Sequence, residues 1–204
     1  SSAAQCQFMV QSINYLEQDD DLERYAWFIP RWNQATESAP FMQLITKAKP
    51  YELTERGILF VNMSTFDKNA VYPCGKRIPA EHYRACSIDD SYASPAVSLC
   101  TDVNGILQID GLALNQWMDY KINILSGVKD FQIRYTATRD SEITIYRVDE
   151  NGNETALQTI ALPSTASKTA WTTLTESFTP EAGEQVLRLK CTKGLPRINW
   201  FKLK

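Results

Sequence analysis

The sequence predicts an all-β fold: a two-sheet β-sandwich or jelly roll over residues 71–204, with a helix-strand appendage in residues 1–70. Three observations carry this expectation. Phe131, Ile133, Tyr135 and Ala137 alternate with Gln132, Arg134, Thr136 and Thr138, and a period of two gives a strand one buried and one wet face. Residues 143–146 and 186–191 repeat the pattern. Turn pairs punctuate the segments, namely Ser126-Gly127, Asn151-Gly152, Ala182-Gly183 and Lys193-Gly194. Several short strands at this spacing describe a sandwich or jelly roll.

The front region reads differently. Cys6, Met9, Val10, Ile13 and Leu16 recur at helical spacing, and Ser2 is placed to cap that helix by accepting an orphan backbone N–H. Asp19-Asp20-Asp21 ends it in a turn. Residues 24–29 are aromatic and apolar and predict a short strand stopped by Pro30, and the apolar run 57–62 predicts a second. A polar loop, 31–38, and a weakly helical piece near 41–46 lie between them. The boundary at 67–76 is short and holds Pro73 and Gly75, so the front region is expected to pack on the sandwich.

A length of 204 residues suits one large or two small domains. The net charge is −3 without a basic cluster, which argues against a nucleic-acid surface. No apolar run approaches the roughly 20 residues of a membrane helix. The chain starts at Ser1 and shows no signal-peptide core, so it is expected to be a processed product or a fragment. Of the five cysteines, Cys6, Cys74, Cys86, Cys100 and Cys191, none forms a CxxC pair. Two disulfides with one odd thiol would suit an exported protein, and five unrelated buried thiols are equally open. Cys86 with Cys100 and Cys74 with Cys191 are the pairings considered.

Catalysis finds little support. His82 is the single histidine, which leaves no histidine-built metal centre. There is no Gly-x-Ser-x-Gly elbow and no glycine-rich phosphate loop. Glu23, Glu37, Glu52 and Glu55 are available as carboxylates, but nothing brings two together as glycoside hydrolysis requires. No catalytic residue is assigned. Trp117, Tyr120, Trp200 and Phe201 are expected in the core. Trp171, which opens a strand after a polar loop, is expected to cap the core or to face a ligand. Tyr92, in a polar segment, is the aromatic most expected to be exposed.

Four stretches in order resemble a family 6 carbohydrate-binding module: Ile78-Pro79-Ala80-Glu81-His82-Tyr83, Gln116-Trp117-Met118-Asp119-Tyr120, Ala170-Trp171-Thr172-Thr173 and the ending from Arg197 to Leu203. Such modules commonly read Glu-x-Glu-x-Tyr in the first strand, Gly-x-Trp-x-x-Tyr later, then a Trp-x-x-Trp-like stretch, and end Asn-x-Asp-Trp-Phe. Glu81, Tyr83, Trp117, Tyr120, Trp171, Trp200 and Phe201 fit that frame over about residues 76–204. The resemblance implies a jelly roll with adjacent first and last strands, and non-catalytic binding of polysaccharide. In the family two aromatic rings clamp a sugar at one end of the sandwich and an asparagine bonds its hydroxyls. Here Gln108 and Lys168 stand near the aromatic positions and Arg197 near the asparagine. The site is thus remodelled, moved to the concave face or lost. Arg197 with Lys168 would suit an acidic glycan, since arginine grips a carboxylate or sulfate with two parallel donors. The family also carries a structural calcium. Glu81 keeps one acid, whereas Pro79 and Asn199 replace two others, which weakens a site that wants six to eight oxygens.

The front segment resembles the last helix and strand of the barrel in glycoside hydrolase family 128, through residues 13–28 and the turn-like Leu53-Thr54-Glu55-Arg56-Gly57. Seventy residues cannot form a barrel of about 250. This resemblance implies the C-terminal part of a larger hydrolase, with a catalytic barrel domain or chain as partner. Trp27 and Trp32 would then line a sugar subsite at the barrel mouth. The expected function is a secreted module that targets a glycoside hydrolase to β-glucan or another cell-wall or algal glycan. Two rivals stand beside it: a portion of a β-1,3-glucan hydrolase that contributes to its cleft, and a structural sandwich that has lost sugar binding.

Overall fold

Period-two alternation places every second side chain of the long strands between two sheets, and the pairing of those strands fixes the rest. A computed structural model describes residues 1–27, 30–31, 42–64 and 67–204. Within them α1 spans Ser2–Leu16 and α2 Glu55–Ser64. The strands are β1 Tyr72–Pro73, β2 Ile78–Pro79, β3 Ala85–Cys86, β4 Val97–Leu99, β5 Leu107–Ile109, β6 Trp117–Ile124, β7 Asp130–Thr136, β8 Ser141–Val148, β9 Glu154–Leu162, β10 Thr172–Ser177, β11 Gly183–Lys193 and β12 Arg197–Leu203. One sheet runs β1-β6-β11-β8-β9, with β3 also on β6; the other runs β10-β7-β12-β5-β4, with β2 also on β12.

Tyr120, Ile122, Ile143, Ile145, Leu187 and Leu189 of the first sheet face Phe131, Ile133, Tyr135, Ile198, Phe201 and Leu203 of the second, all buried. The Tyr120 ring meets Phe201 edge-on at 4.7 Å, and Phe131 stacks on Phe201 at 5.7 Å. Each such side chain contributes about 1.5–3 kcal/mol through lost water contact. The two ends of the sandwich pair as expected: Pro79 lies opposite Trp200 and Ile78 opposite Phe201. Gly194 ends β11 in the left-handed region at φ 83°, and a Cβ there would meet Ser141 Oγ at 2.2 Å, so only glycine fits this turn.

Trp117 and Trp200 do not enter the core. The alternation that buries Met118, Tyr120 and Phe201 turns both indoles to the outer faces, half-buried. Each is covered by a cation: the Arg188 guanidinium lies 3.5 Å from the Trp117 ring centre and Arg77 4.3 Å from that of Trp200.

The front region departs further from expectation. Residues 57–62 belong to helix α2, not to a strand. Thr54 accepts a hydrogen bond from the Gly57 N–H at 3.2 Å, a cap that starts a helix, and Arg56, Leu59 and Met63 are buried at helical spacing. Gly57 packs so closely that a Cβ would lie 2.1 Å from the Leu44 carbonyl oxygen. Residues 24–27 form no strand, and 28–29 lie outside the described residues. Residues 42–46 are not helical, and Ile45 makes a bridge to Leu53 instead. Phe41 and residues 32–38 of the expected polar loop also lie outside the described residues. In α1 the cap is Ser1, whose hydroxyl accepts from Ala4, whereas Ser2 already lies in the helix and accepts from Arg56. All five cysteines are free thiols, so neither considered pairing is formed.

Helix α1 is fixed to the sandwich by buried polar contacts. Asn14, 1% exposed, accepts a 2.7 Å hydrogen bond from the Tyr83 hydroxyl and donates one of 2.9 Å to Ser94 Oγ. Burial drives the Tyr83 hydroxyl well above the usual tyrosine range, which keeps it a donor. Among the described residues no helix is long and apolar enough to cross a membrane.

Candidate functional site

Four strand ends converge at one end of the second sheet: Ile198 of β12 faces Ile109 of β5, Arg197 faces Thr136 of β7, and Thr172 of β10 faces Tyr135. This convergence brings the neighbourhoods of Gln108, Lys168, Trp171 and Arg197 together. Their side chains do different work. Gln108 is buried; its Oε1 accepts from the Thr101 N–H at 3.1 Å and its amide donates to Ser98 Oγ at 3.2 Å. It ties down the loop 100–106 rather than meeting solvent. Arg197 is buried too, with Nε 2.5 Å from Asp110 Oδ1. Lys168 is exposed, next to Ser167, whose carbonyl accepts from Thr136 Oγ1. Trp171 is half-buried, and its indole N–H donates to Thr101 Oγ1 at 3.0 Å. Gln108 and Trp171 therefore brace the same threonine from two sides.

Sequence reading passed over the acids at this end. Asp102 takes two parallel bonds from Arg134, each 2.8 Å, and a third of 2.9 Å from the Asn199 amide. These bonds hold the Asp102 carboxyl below the usual range, with the Arg134 contact the largest cause. Asp110 and Arg197 meet only because antiparallel pairing sets Ile109 against Ile198, a register that no local pattern discloses.

Glu81 and Asn199 lie where the first and last strands meet, since the Ala80 N–H donates to the Asn199 carbonyl at 2.9 Å. Glu81 is 4% exposed, and its Oε2 has no hydrogen-bond partner among the described residues. Burial pushes its pKa up to about 8. An orphaned buried oxygen is what a cation would satisfy, but the other donors do not fit calcium. The Asn199 amide is committed to Asp102, and the Asp102 oxygens already hold the Arg134 cation. Among the described residues no three His, Cys, Asp or Glu side chains group to hold a metal ion. One lone carboxylate is far from six to eight oxygens.

Tyr92 and Trp27 stand elsewhere, beside α1. Tyr92 is exposed and meets Tyr15 edge-on at 5.5 Å. Trp27 is half-buried, donates its N–H to the Met42 carbonyl at 2.9 Å and lies 6.4 Å from Phe8. Trp32 lies outside the described residues. On the outer face of the first sheet, Asp119, Arg188, Glu154 and Lys190 form a charged ladder over Trp117, so that indole face is occupied by the chain's own guanidinium.

Comparisons with known proteins agree with this architecture. Residues 80–204 match the family described as carbohydrate binding module (family 6), and residues 1–60 match that described as glycosyl hydrolase catalytic core. Among solved structures, a β-1,3-glucan-binding family 6 module from Bacillus halodurans superposes with a TM-score of 0.56 at 20% identity, over 66% of this chain and 99% of that one. A Clostridium stercorarium module in complex with cellobiose gives 0.55 at 20%, over 67% and 98%. A module of a Cellvibrio mixtus lichenase in complex with cellotriose gives 0.55 at 23%, over 64% and 97%. At these identities the likeness is one of fold. The comparison with curated proteins gave no match.

Proposed function

The chain belongs to the family 6 carbohydrate-binding modules, and on that premise we propose that its sandwich anchors an attached glycoside hydrolase, outside the cell, on β-glucan or a related cell-wall or algal glycan. The observation that carries the reading is Trp171: a half-buried indole at the loop end, its N–H satisfied by Thr101, beside an exposed Lys168. A ring held this way offers an apolar face to sugar C–H bonds while the sugar hydroxyls stay wet. No covalent step is involved. Binding keeps the attached enzyme near insoluble substrate and raises its effective concentration there. Affinity per site is modest, because one stacked ring and a few hydroxyl contacts yield little surplus over the cost of association.

The arginine at the loop end does not support an acidic glycan as strongly as its position implied. Its Nε is taken by Asp110, whereas Lys168 is exposed. A second reading has its own observation: the match of residues 1–60 to a glycosyl hydrolase catalytic core favours a front segment that belongs to the enzyme it serves.

Affinity electrophoresis of the full chain in laminarin, lichenan and an acidic polysaccharide tests the proposal. Retardation by a neutral β-glucan is expected, weakened roughly tenfold, or about 1.4 kcal/mol, by Trp171→Ala. Absence of retardation in every gel, or unchanged retardation of the variant, sinks the reading.

A further inference from the structure

Helix α1 and the loop after β3 together build an aromatic groove that belongs to neither alone. Phe8 and Tyr15 are two turns apart on one helical face and are 58% and 47% exposed; Tyr92 comes from the sandwich and is 60% exposed. With Gln11, Ser12, Leu16 and Ser91 they line a groove of about 420 Å³, within the size range of sugar and small-molecule sites.

The conformation of Tyr92 is the telling detail. Its φ is 60°, a left-handed backbone that costs a bulky residue about 1–2 kcal/mol. Asp89 imposes it: the Tyr92 N–H donates to the Asp89 carbonyl at 2.8 Å, and the Asp89 carboxylate accepts from the Ser91 and Ala93 N–H groups at 2.8 and 2.9 Å. The chain thus holds a strained loop that turns a large ring into water beside two other exposed rings. The joint at Asn14 fixes the two walls relative to each other.

We propose that this groove is a second glycan-binding surface, which takes a neutral β-glucan chain across the junction between α1 and the sandwich. The inference rests on the glycan-binding reading above and adds a site to it. The occupant follows from the lining. Three rings suit the C–H faces of successive sugars, and the rim of Gln11, Ser12 and Ser91 is uncharged and rich in partners for hydroxyls. Tyr15 and Tyr92 also border a bay with Asp19, Asp20, Asp89 and Asp90. That acidity repels uronic and sulfated glycans, and carboxylates accept readily from neutral hydroxyls.

Calorimetry of the full chain with laminarin oligosaccharides tests this, using Tyr92→Gly, Tyr15→Ser and Trp171→Ala. Glycine accepts a positive φ, so Tyr92→Gly keeps the loop, and its melting temperature checks the fold. Two sugar sites per chain are expected in the parent protein. Tyr92→Gly and Tyr15→Ser should each leave one, with the other unchanged, and Trp171→Ala should leave the complementary one. Polygalacturonate should compete at neither tyrosine. One site in the parent, abolished by Trp171→Ala and untouched at Tyr92, overturns the groove while the loop-end reading stands. No binding in any protein removes both. A dimer in sedimentation that Tyr15→Ser dissociates, or a groove that takes a basic peptide but no laminarin, also overturns it.

Discussion

The loop end of the sandwich and the groove along α1 are opposite kinds of surface. At the loop end nearly every polar group is already answered within the chain: Gln108 by Thr101 and Ser98, Arg197 by Asp110, and Asp102 by Arg134 and Asn199. Along α1, three exposed rings face water, Tyr15 meeting Tyr92 edge-on and Phe8 lying near Trp27. A self-satisfied site is rigid and selective for the few atoms it leaves exposed. An open aromatic surface is tolerant among neutral sugars, because each of them presents a C–H face.

Four measurements break or sharpen this contrast. The largest effect is expected from Asn14→Ala, which removes the joint and leaves the Tyr83 and Ser94 hydroxyls buried without a shared partner. A loss of about 2–4 kcal/mol, or roughly 5–12 °C in melting temperature for a chain of this size, is expected by calorimetry. Sugar binding at Trp171 should survive, whereas binding at Tyr92 should weaken. Equal loss at both would erase the distinction between the two surfaces.

Arg134→Met should cost about 1–2 kcal/mol, since the Asp102 side chain is 6% exposed while that of its partner retains 25% and is partly screened. The loop 100–106 should then show faster amide exchange, and α1 should not. Unchanged exchange in that loop would mean that the Asp102 clamp does not hold it.

Glu81→Gln should act in the stabilising direction, and with pH. The folded pKa of Glu81, about 8, lies above its ordinary value of 4.5, so the folded state holds the proton more tightly than the unfolded one. Its contribution is full below pH 4.5 and fades as pH rises toward 8. Denaturant titrations of the parent should therefore show stability falling across that window, and the glutamine variant should lose less. Calcium and a chelator should give the same melting temperature. A calcium-dependent rise that the variant lacks would restore a metal role for Glu81.

The smallest effect is expected at Lys168→Ala. With no partner to lose among the described residues, stability should stay within about 0.5 kcal/mol, and laminarin affinity should change less than about threefold. A large loss there, confined to acidic polysaccharides, would give the loop end a charged ligand.

Legibility in the sequence followed periodicity. The sandwich showed itself because Phe131, Ile133 and Tyr135 alternate cleanly and because Gly127, Gly152 and Gly194 mark turns that need a positive φ. The same alternation, carried to Trp117 and Trp200, would have placed both indoles outside; residue type was allowed to outweigh phase. The stretch 57–62 is too short and too apolar to separate strand from helix by pattern alone, and the Thr54 cap was the signal that would have decided it. The loop-end residues were legible as neighbours but not as partners. Asp110 and Asp102 reach Arg197 and Arg134 through strand register and a returning loop, and neither leaves a local trace. The groove had half a trace, in Tyr92, but its second wall is the face of a helix that had no reason, in sequence, to lie beside that loop.

The Asn14 joint has a consequence for how such a molecule would work. Many anchoring modules hang on a slack tether and sample every approach to a surface. Here the helix is bolted to the roll through Tyr83 and Ser94, so whatever is built onto that helix inherits the orientation of the roll. The angle at which a bound polymer meets its neighbour is then set by packing rather than by chance encounter, and lengthening a linker would not be the way to retune it.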